Sequence, residues 1–255
     1  MITSVSNPLI KHIRRLQQDR RFRSREESFV SEGTAWFKEW LSYPEKLVQV
    51  FYTETWLGAV DHKDLLAKIK APCYLVSDQV MRSISDTESP PGILMQAKMI
   101  SLLKKESANF FLILDAVTDP GNLGAMLRSA PAAGVDVLIL APGCVDAYNP
   151  KVVRSAMGAH LRIPIMLLDW QEIAEITKKT KVWIAEANQA KIYTEIDWTQ
   201  PSTLVIGNEA RGPSAEARKL MEASISIPMA AATESLNAAV AAAVILFEAA
   251  RQRRK

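Results

Sequence analysis

The feature that most constrains this chain is the order of its apolar runs from residue 108 onward. Short, nearly continuous apolar segments occur at 110–117, 135–141, 163–168, 181–186, 203–207 and 224–228. Stretches of helical character follow at about 122–133, 150–159, 170–179, 214–222 and 235–253. A run of about four to eight apolar residues reads as a strand buried on both faces. Parallel neighbours need a crossover connection, so strands alternating with helices predict an α/β domain: a mostly parallel sheet covered on both sides. In such sheets ligands sit beyond the carboxyl ends of the strands, and the loops there are where chemistry is expected.

Residues 1–96 follow another pattern. Leu9, Ile13 and Leu16 fall at helical spacing and predict a helix over 8–20. Helices near 34–41 and 61–69 and short strands at 48–53 and 73–77 make this part mixed α/β. Pro90, Pro91 and Gly92 mark a turn before a short apolar run at 93–95. The segment 98–107 reads as a connector or short helix, which places a domain boundary near 100. The expected domains are 1–100 and 108–255.

Composition and charge narrow the function classes. The chain is 48% hydrophobic and 23% charged, enough to bury a real core and unlike a disordered segment. No apolar run approaches the roughly 18–20 residues of a membrane span, and residues 1–25 lack the apolar stretch of a signal peptide. Two cysteines, Cys73 and Cys144, form no framework, so a reducing cytoplasm is the expected location and no membrane partner is expected. Basic residues cluster at both ends: Lys11, Arg14, Arg15, Arg20, Arg21, Arg23 and Arg25 against Asp19 alone, and then Arg251, Arg253, Arg254 and Lys255. Basic ends on an acidic body point to a polyanion partner, with a solvated helix face and a frayed tail as the alternative.

Familiar catalytic fingerprints are missing from the sequence. It has no GxGxxG, no GxxxxGK[ST], no HExxH and no GxSxG, and His12, His62 and His160 are far apart. An ordinary dinucleotide fold, a phosphate-loop NTPase, a metal hydrolase and an α/β-hydrolase are therefore not expected, and neither is a metal.

Three strand-end segments remain. In 115–128 (DAVTDPGNLGAMLR), Asn122 is a candidate helix cap, Gly124 allows close backbone approach, and Arg128 lies about one and a half turns in. In 205–214 (VIGNEARGPS), Gly207 and Gly212 flank Glu209, and Ser214 is a candidate cap. From 225 on, a strand ends at Pro228–Met229, and a small-residue loop leads to Ser235, Leu236 and Asn237. There Ser235 is the candidate cap of an alanine-rich helix, and Asn237 is a weak helix former whose side chain is available for another purpose.

Singly these segments read as ordinary capped loops. In order they are N-x-G-x-x-x-R, I-G-N-E-x-x-G and I-P-M…S-L-N, which closely resemble the three motifs of the SpoU (TrmH-type) 2′-O-ribose RNA methyltransferases of the SPOUT superfamily. Residues 143–158 (GCVDAYNPKVVRSAMG) resemble the region between the first two motifs. The NPLIK opening at 7–11 and FVSEG at 29–33 resemble the small substrate-binding domain of many members. The chain departs from the pattern at Pro131, where an acidic residue is common, and at Ala238–Ala239, where Val-Ser is usual.

The resemblance implies a SPOUT-type sheet with a C-terminal trefoil knot and a small L30e-like N-terminal domain. It implies S-adenosylmethionine as cofactor, held by backbone around Gly207, Ile227, Met229 and Leu236, and a homodimer through the C-terminal domain. Arg128 would bind the ribose 2′-OH and its phosphate and ease loss of the hydroxyl proton. Asn122 would orient Arg128 or the ribose, Glu209 would fix a guanidinium, from Arg128 or a partner chain, and Ser235 and Asn237 would close the site. Arg14, Arg15, Arg20, Arg21, Arg23 and Arg25 would grip RNA phosphates, with Phe22 either stacking on a base or serving the core. Cys144 reads as a buried thiol. Ribosomal RNA is the expected substrate ahead of transfer RNA. The alternatives are a noncatalytic RNA-binding or ribosome-assembly protein that kept the fold, and a base methyltransferase of the same superfamily.

Overall fold

The computed structural model describes residues 1–100, 107–187, 191–230 and 235–254, so Lys255 and most of the 98–107 connector lie outside the described residues. The first part of the chain forms α1 (Pro8–Gln18), α2 (Arg20–Glu26), β1 (Ser28–Glu32), α3 (Thr34–Trp40), β2 (Leu47–Tyr52), α4 (Glu54–Leu57), α5 (His62–Ala67), β3 (Cys73–Leu75), α6 (Asp78–Ile84) and β4 (Ile93–Lys98). Then come β5 (Phe110–Leu114), α7 (Pro120–Ala132), β6 (Val137–Leu140), α8 (Pro150–Ala156), β7 (Ile165–Leu167) and α9 (Trp170–Thr177). The chain continues through β8 (Lys181–Ala185), β9 (Ser202–Ile206), α10 (Ala215–Leu220), β10 (Ala223–Ile225) and α11 (Ala238–Arg253). It divides into two compact units, residues 1–100 with 146–158 and the remainder.

In the first unit a sheet of order β1-β4-β2-β3 pairs β4 antiparallel to both neighbours and β3 parallel to β2. Asn7 caps α1 by accepting from the Leu9 N–H, with Pro8 at the first helical position, and Ile10, Ile13 and Leu16 make one fully buried stripe. The helix expected over 8–20 breaks at Asp19, which turns extended and accepts from the Phe22 N–H to start α2. Helix α6 and strand β1 carry no clear sequence signal. In β1 every residue from Ser28 to Ser31 is buried, so the two serines erase any alternation.

The α2 basic face is less uniform than its sequence. Arg23 is a correction to the expected phosphate-binding set: its side chain is buried. Its Nε and Nη2 donate to Asp146 Oδ2 at 2.9 and 2.6 Å, and Nη1 donates to the Leu16 and Gln17 carbonyls. A guanidinium with all its edges bound inside the fold has nothing left for RNA. Phe22 belongs to the core, flanked by the Arg15 and Arg25 guanidinia at 4.3 and 4.9 Å from its ring centre. Arg14, Arg15, Arg20, Arg21 and Arg25 are exposed.

In the second unit the described strands form an all-parallel sheet of order β10-β8-β9-β5-β6-β7. Strands β5, β6 and β9 are buried along their whole length, as the unbroken apolar runs of β5 and β6 require. Strand β5 connects onward to β6 on one side, and β9 connects onward to β10 on the other. The side to which the chain moves on therefore switches at the parallel β5–β9 pair, where Leu114 lies beside Ile206, and a crevice opens beyond these carboxyl ends. Helix α11 packs against α7, with Ala242, Ile245, Leu246, Ala249 and Ala250 buried. Pro131 falls in the last turn of α7, where it removes one hydrogen bond without stopping the helix before Ala132. The C-terminal basic residues are partly committed. Arg251 pairs with Glu248, and Arg253 lies over Phe110 and donates to Asn109 Oδ1 and the Gln200 carbonyl. Among the described residues no helix is long and apolar enough to cross a membrane.

Candidate active site

The loop leaving β5 is held in an uncommon conformation. Ala116 has φ of +54°, a left-handed value that disfavours side chains, and its carbonyl accepts a 2.7 Å hydrogen bond from the Asn208 amide. Buried Asp115 accepts from the Ser214 N–H at 2.6 Å. The loop after β5 is thereby tied to the loop after β9. Asp119 then caps α7 by accepting from the Asn122 N–H at 2.8 Å, with Pro120 as the first helical residue. The expected cap, Asn122, stands one turn inside, and its side chain is released for other work.

The loop after β9 closes tightly. Asn208 and Gly212 exchange backbone hydrogen bonds of 3.1 and 2.9 Å, Gly212 has φ of +68°, and Asn208 Oδ1 accepts from the Ala210 and Arg211 N–H groups. A Cβ on Gly207 would lie 2.4 Å from Pro213 N and 2.6 Å from Gly212 C, so only glycine fits there.

These loops and the start of α11 are joined by a directed chain of amides. Asn237, not Ser235, caps α11, its Oδ1 accepting from the Ala239 and Val240 N–H groups, because the helix begins at Ala238. Its Nδ2 donates to Asn122 Oδ1 at 2.9 Å, and Asn122 Nδ2 donates to Glu209 Oε1 at 2.9 Å. All the donors point the same way, from the helix N-terminus towards one carboxylate, so each bond polarises the next. Burial raises the Glu209 pKa, but hydrogen bonds from Asn122 and from backbone N–H groups at Glu209, Thr118 and Asp119 outweigh it. The net shift is down, and the group is an anion at neutral pH.

A cleft of about 810 Å³ opens against this array. Asn122, Glu209, Ser235 and Asn237 line it, as do Gly207, Ile227, Met229 and Leu236. Of the expected catalytic and cofactor-binding residues, Arg128 is the one outside the wall. It is exposed on α7 and forms no ion pair or hydrogen bond among the described residues. Among the described residues the expected Arg128–Glu209 pair does not form, and the Asn122 amide donates to that carboxylate. Cys144 is buried and donates to the Leu114 carbonyl, and burial pushes its thiol up to about 11, which makes it inert. Among the described residues no group of His, Cys, Asp and Glu side chains could hold a metal ion.

Sequence reading missed Asp115, Asn208 and Glu186. The first two stitch the loops, and Glu186 lines the cleft beyond β8. The available signal was position. Each follows an apolar strand by at most two residues, where ligand loops begin.

A family model described as the SpoU rRNA methylase family matches residues 109–247. The chain belongs to the SpoU rRNA methylase family. A second model, the MRM3-like substrate binding domain, matches residues 7–95. An uncharacterized tRNA/rRNA methyltransferase of Synechocystis is 34% identical over 98% of this chain and 93% of that protein. The 23S rRNA (guanosine(2553)-2′-O)-methyltransferase of Bacillus subtilis is 32% identical over 96% of this chain and 97% of its own. The SpoU methyltransferase AviRb of Streptomyces viridochromogenes, solved in complex with the cofactor AdoMet, superposes with a TM-score of 0.87 at 28% identity, covering 97% of this chain and 98% of that one. The α/β architecture of this SpoU member, a parallel sheet with a second mixed sheet, is therefore shared with solved methyltransferases.

Proposed function

We propose that this chain is an S-adenosylmethionine-dependent methyltransferase acting on the ribose 2′-OH of a nucleotide in ribosomal RNA. The observation that carries the reading is convergence. Residues from three separate strand ends of a SpoU family member meet at one cleft, with polar groups at the β5–β9 end and apolar groups beside them.

The cleft fits the cofactor on its own terms. Its volume of about 810 Å³ lies in the usual range for sites that enclose a ligand of this size. Ile227, Met229 and Leu236 offer apolar wall to a base, Gly207 brings backbone within reach because no side chain intervenes, and the anionic residues suit a cationic ligand. When bound, the cofactor supplies a methyl group activated by a positive sulfur. Asn122 and Asn237 hold a fixed amide edge beside Glu209, so a sugar hydroxyl docks without reorganising the site. Among the described residues of this chain Glu209 anchors Asn122, and a partner-chain arginine is the guanidinium left for it to fix. Arg128, exposed and unengaged among the described residues, is available to bind an RNA phosphate and to stabilise the alkoxide that develops on the 2′ oxygen.

The reading has four further features. They are a C-terminal trefoil knot, a substrate-binding role for residues 1–100, a methyltransferase role for 108–255, and a cytoplasmic site of action. Homodimerisation through the C-terminal domain is supported by Val240 and Phe247, two turns apart on α11 and exposed at 49% and 47%. Ribosomal RNA is favoured over transfer RNA by the Bacillus relative and by the match to a substrate-binding domain. Arg14, Arg15, Arg20, Arg21 and Arg25 would supply phosphate contacts, which give affinity without sequence information.

The test is incubation of the protein with methyl-labelled cofactor and total ribosomal RNA, followed by digestion to nucleosides. Label on a ribose 2′-oxygen is expected, whereas label on a base, or none despite cofactor binding, refutes the assignment. Arg128→Ala should lower turnover about 10²–10³-fold with folding intact. Near-normal turnover would remove Arg128 from its role.

A further inference from the structure

The walls of the cleft carry three carboxylates, Asp119, Glu186 and Glu209, and among the described residues no lysine, arginine or histidine lines it. Two of the three have other duties: Asp119 caps α7, and Glu209 ends the amide chain. Glu186 has no such task, yet it is held firmly. It follows β8 directly, and its N–H donates to the Ile225 carbonyl at 3.0 Å. Arg218 donates to both carboxylate oxygens at 2.6 and 3.0 Å, and Ser224 Oγ donates at 2.5 Å. The pair is oriented. Glu186 lines the cleft with its side chain 16% exposed, while Arg218, 44% exposed and absent from the wall, faces water that screens its charge.

We infer that Glu186 is a charge-selective residue of the cofactor cleft, favouring the methyl donor over the spent cofactor. The inference rests on the proposed cofactor. Methyl transfer breaks a sulfur–carbon bond and returns its electron pair to sulfur, while the new carbon–oxygen bond forms and the hydroxyl proton leaves to solvent. The donor, with sulfonium, ammonium and carboxylate, carries one net positive charge; the thioether product, S-adenosylhomocysteine, carries none. Donor and product are otherwise alike, so a fixed negative charge near the sulfur is what can tell them apart. Glu186 lines the same cleft of about 810 Å³, which sets its charge against a ligand seated there. An acidic wall thus binds the reactant and loosens its hold once the charge is gone, so product release follows from the chemistry itself.

The test is calorimetric binding of S-adenosylmethionine and S-adenosylhomocysteine to the full chain and to Glu186→Gln and Arg218→Gln, with thermal unfolding as a check on folding. Glu186→Gln keeps the shape and removes the charge. It should lower the preference for donor over product about three- to tenfold, chiefly by weakening the donor. Arg218→Gln removes the compensating cation and should move the preference the other way. The two opposite shifts together support the inference. It is overturned if Glu186→Gln changes both affinities by one factor or changes neither, or if both variants shift the preference in the same direction, as a merely structural ion pair would. Wild-type protein that binds neither ligand would overturn the cofactor reading along with it, whereas binding of both with an unmoved ratio defeats the Glu186 inference alone.

Discussion

Gly207→Ala is the sharpest test of how the cleft is built. The added Cβ would lie 2.4 Å from Pro213 N, 2.6 Å from Gly212 C and 2.8 Å from Pro213 Cα. Cβ contacts below 3.0 Å are essentially unknown, and all three atoms are backbone, so no rotamer change relieves the overlap. The loop must move, and it is tied on both sides: Asn208 and Gly212 exchange two backbone bonds, and the Ser214 N–H is bound to Asp115. Overpacking a tight site costs about 1–3 kcal/mol, and each backbone bond lost adds about 0.5–1.5 kcal/mol. The expected loss of stability is therefore about 2–4 kcal/mol, which urea unfolding of the full chain resolves. Cofactor affinity should fall by more than stability alone explains, because the displaced backbone is the wall of the cleft. A variant within about 0.5 kcal/mol of wild type, with cofactor affinity unchanged, would refute the claim that this glycine exists for close approach.

Four further outcomes are expected. Arg23→Met leaves Asp146 uncompensated and should cost about 3–5 kcal/mol in urea unfolding, while RNA affinity of the folded protein stays constant. Replacing exposed Arg20 and Arg21 should instead weaken RNA binding and flatten its salt dependence, with little effect on stability. Glu209 is held below the usual carboxyl range, so the stabilisation from Asn122 is fully present above the unfolded value of about 4.3 and is lost as pH falls through the folded one. The melting temperatures of wild type and Glu209→Gln should therefore differ at pH 7 and converge on acidification, as followed by circular dichroism. Cys144, with its thiol at about 11, should resist iodoacetamide at pH 8 while exposed Cys73 reacts, as read by peptide mass spectrometry.

The parallel sheet was legible because its central strands are buried on both faces, so nothing interrupts runs such as Phe110–Leu114 or Val137–Leu140. Strand β1 escaped notice for the opposite reason, since Ser28 and Ser31 are buried in it. Caps were misassigned by small distances. Asp119 rather than Asn122 opens α7, and Asn237 rather than Ser235 opens α11. Each segment offers several capping side chains, and local propensity does not choose among them. The arginines of α2 look equivalent in sequence, yet packing against Asp146 withdraws Arg23 from the surface.

The sequence alone determined the α/β layering, the order of elements in the second unit, and the three polar segments at strand ends. Periodicity and residue type are local properties that survive without contacts. Which side chains meet was decided only by tertiary structure. Asn122, Glu209 and Asn237 are joined across separations of 87 and 115 residues. The switch at the β5–β9 pair brings them together, and a hydrogen bond formed across such a distance has no local pattern to announce it.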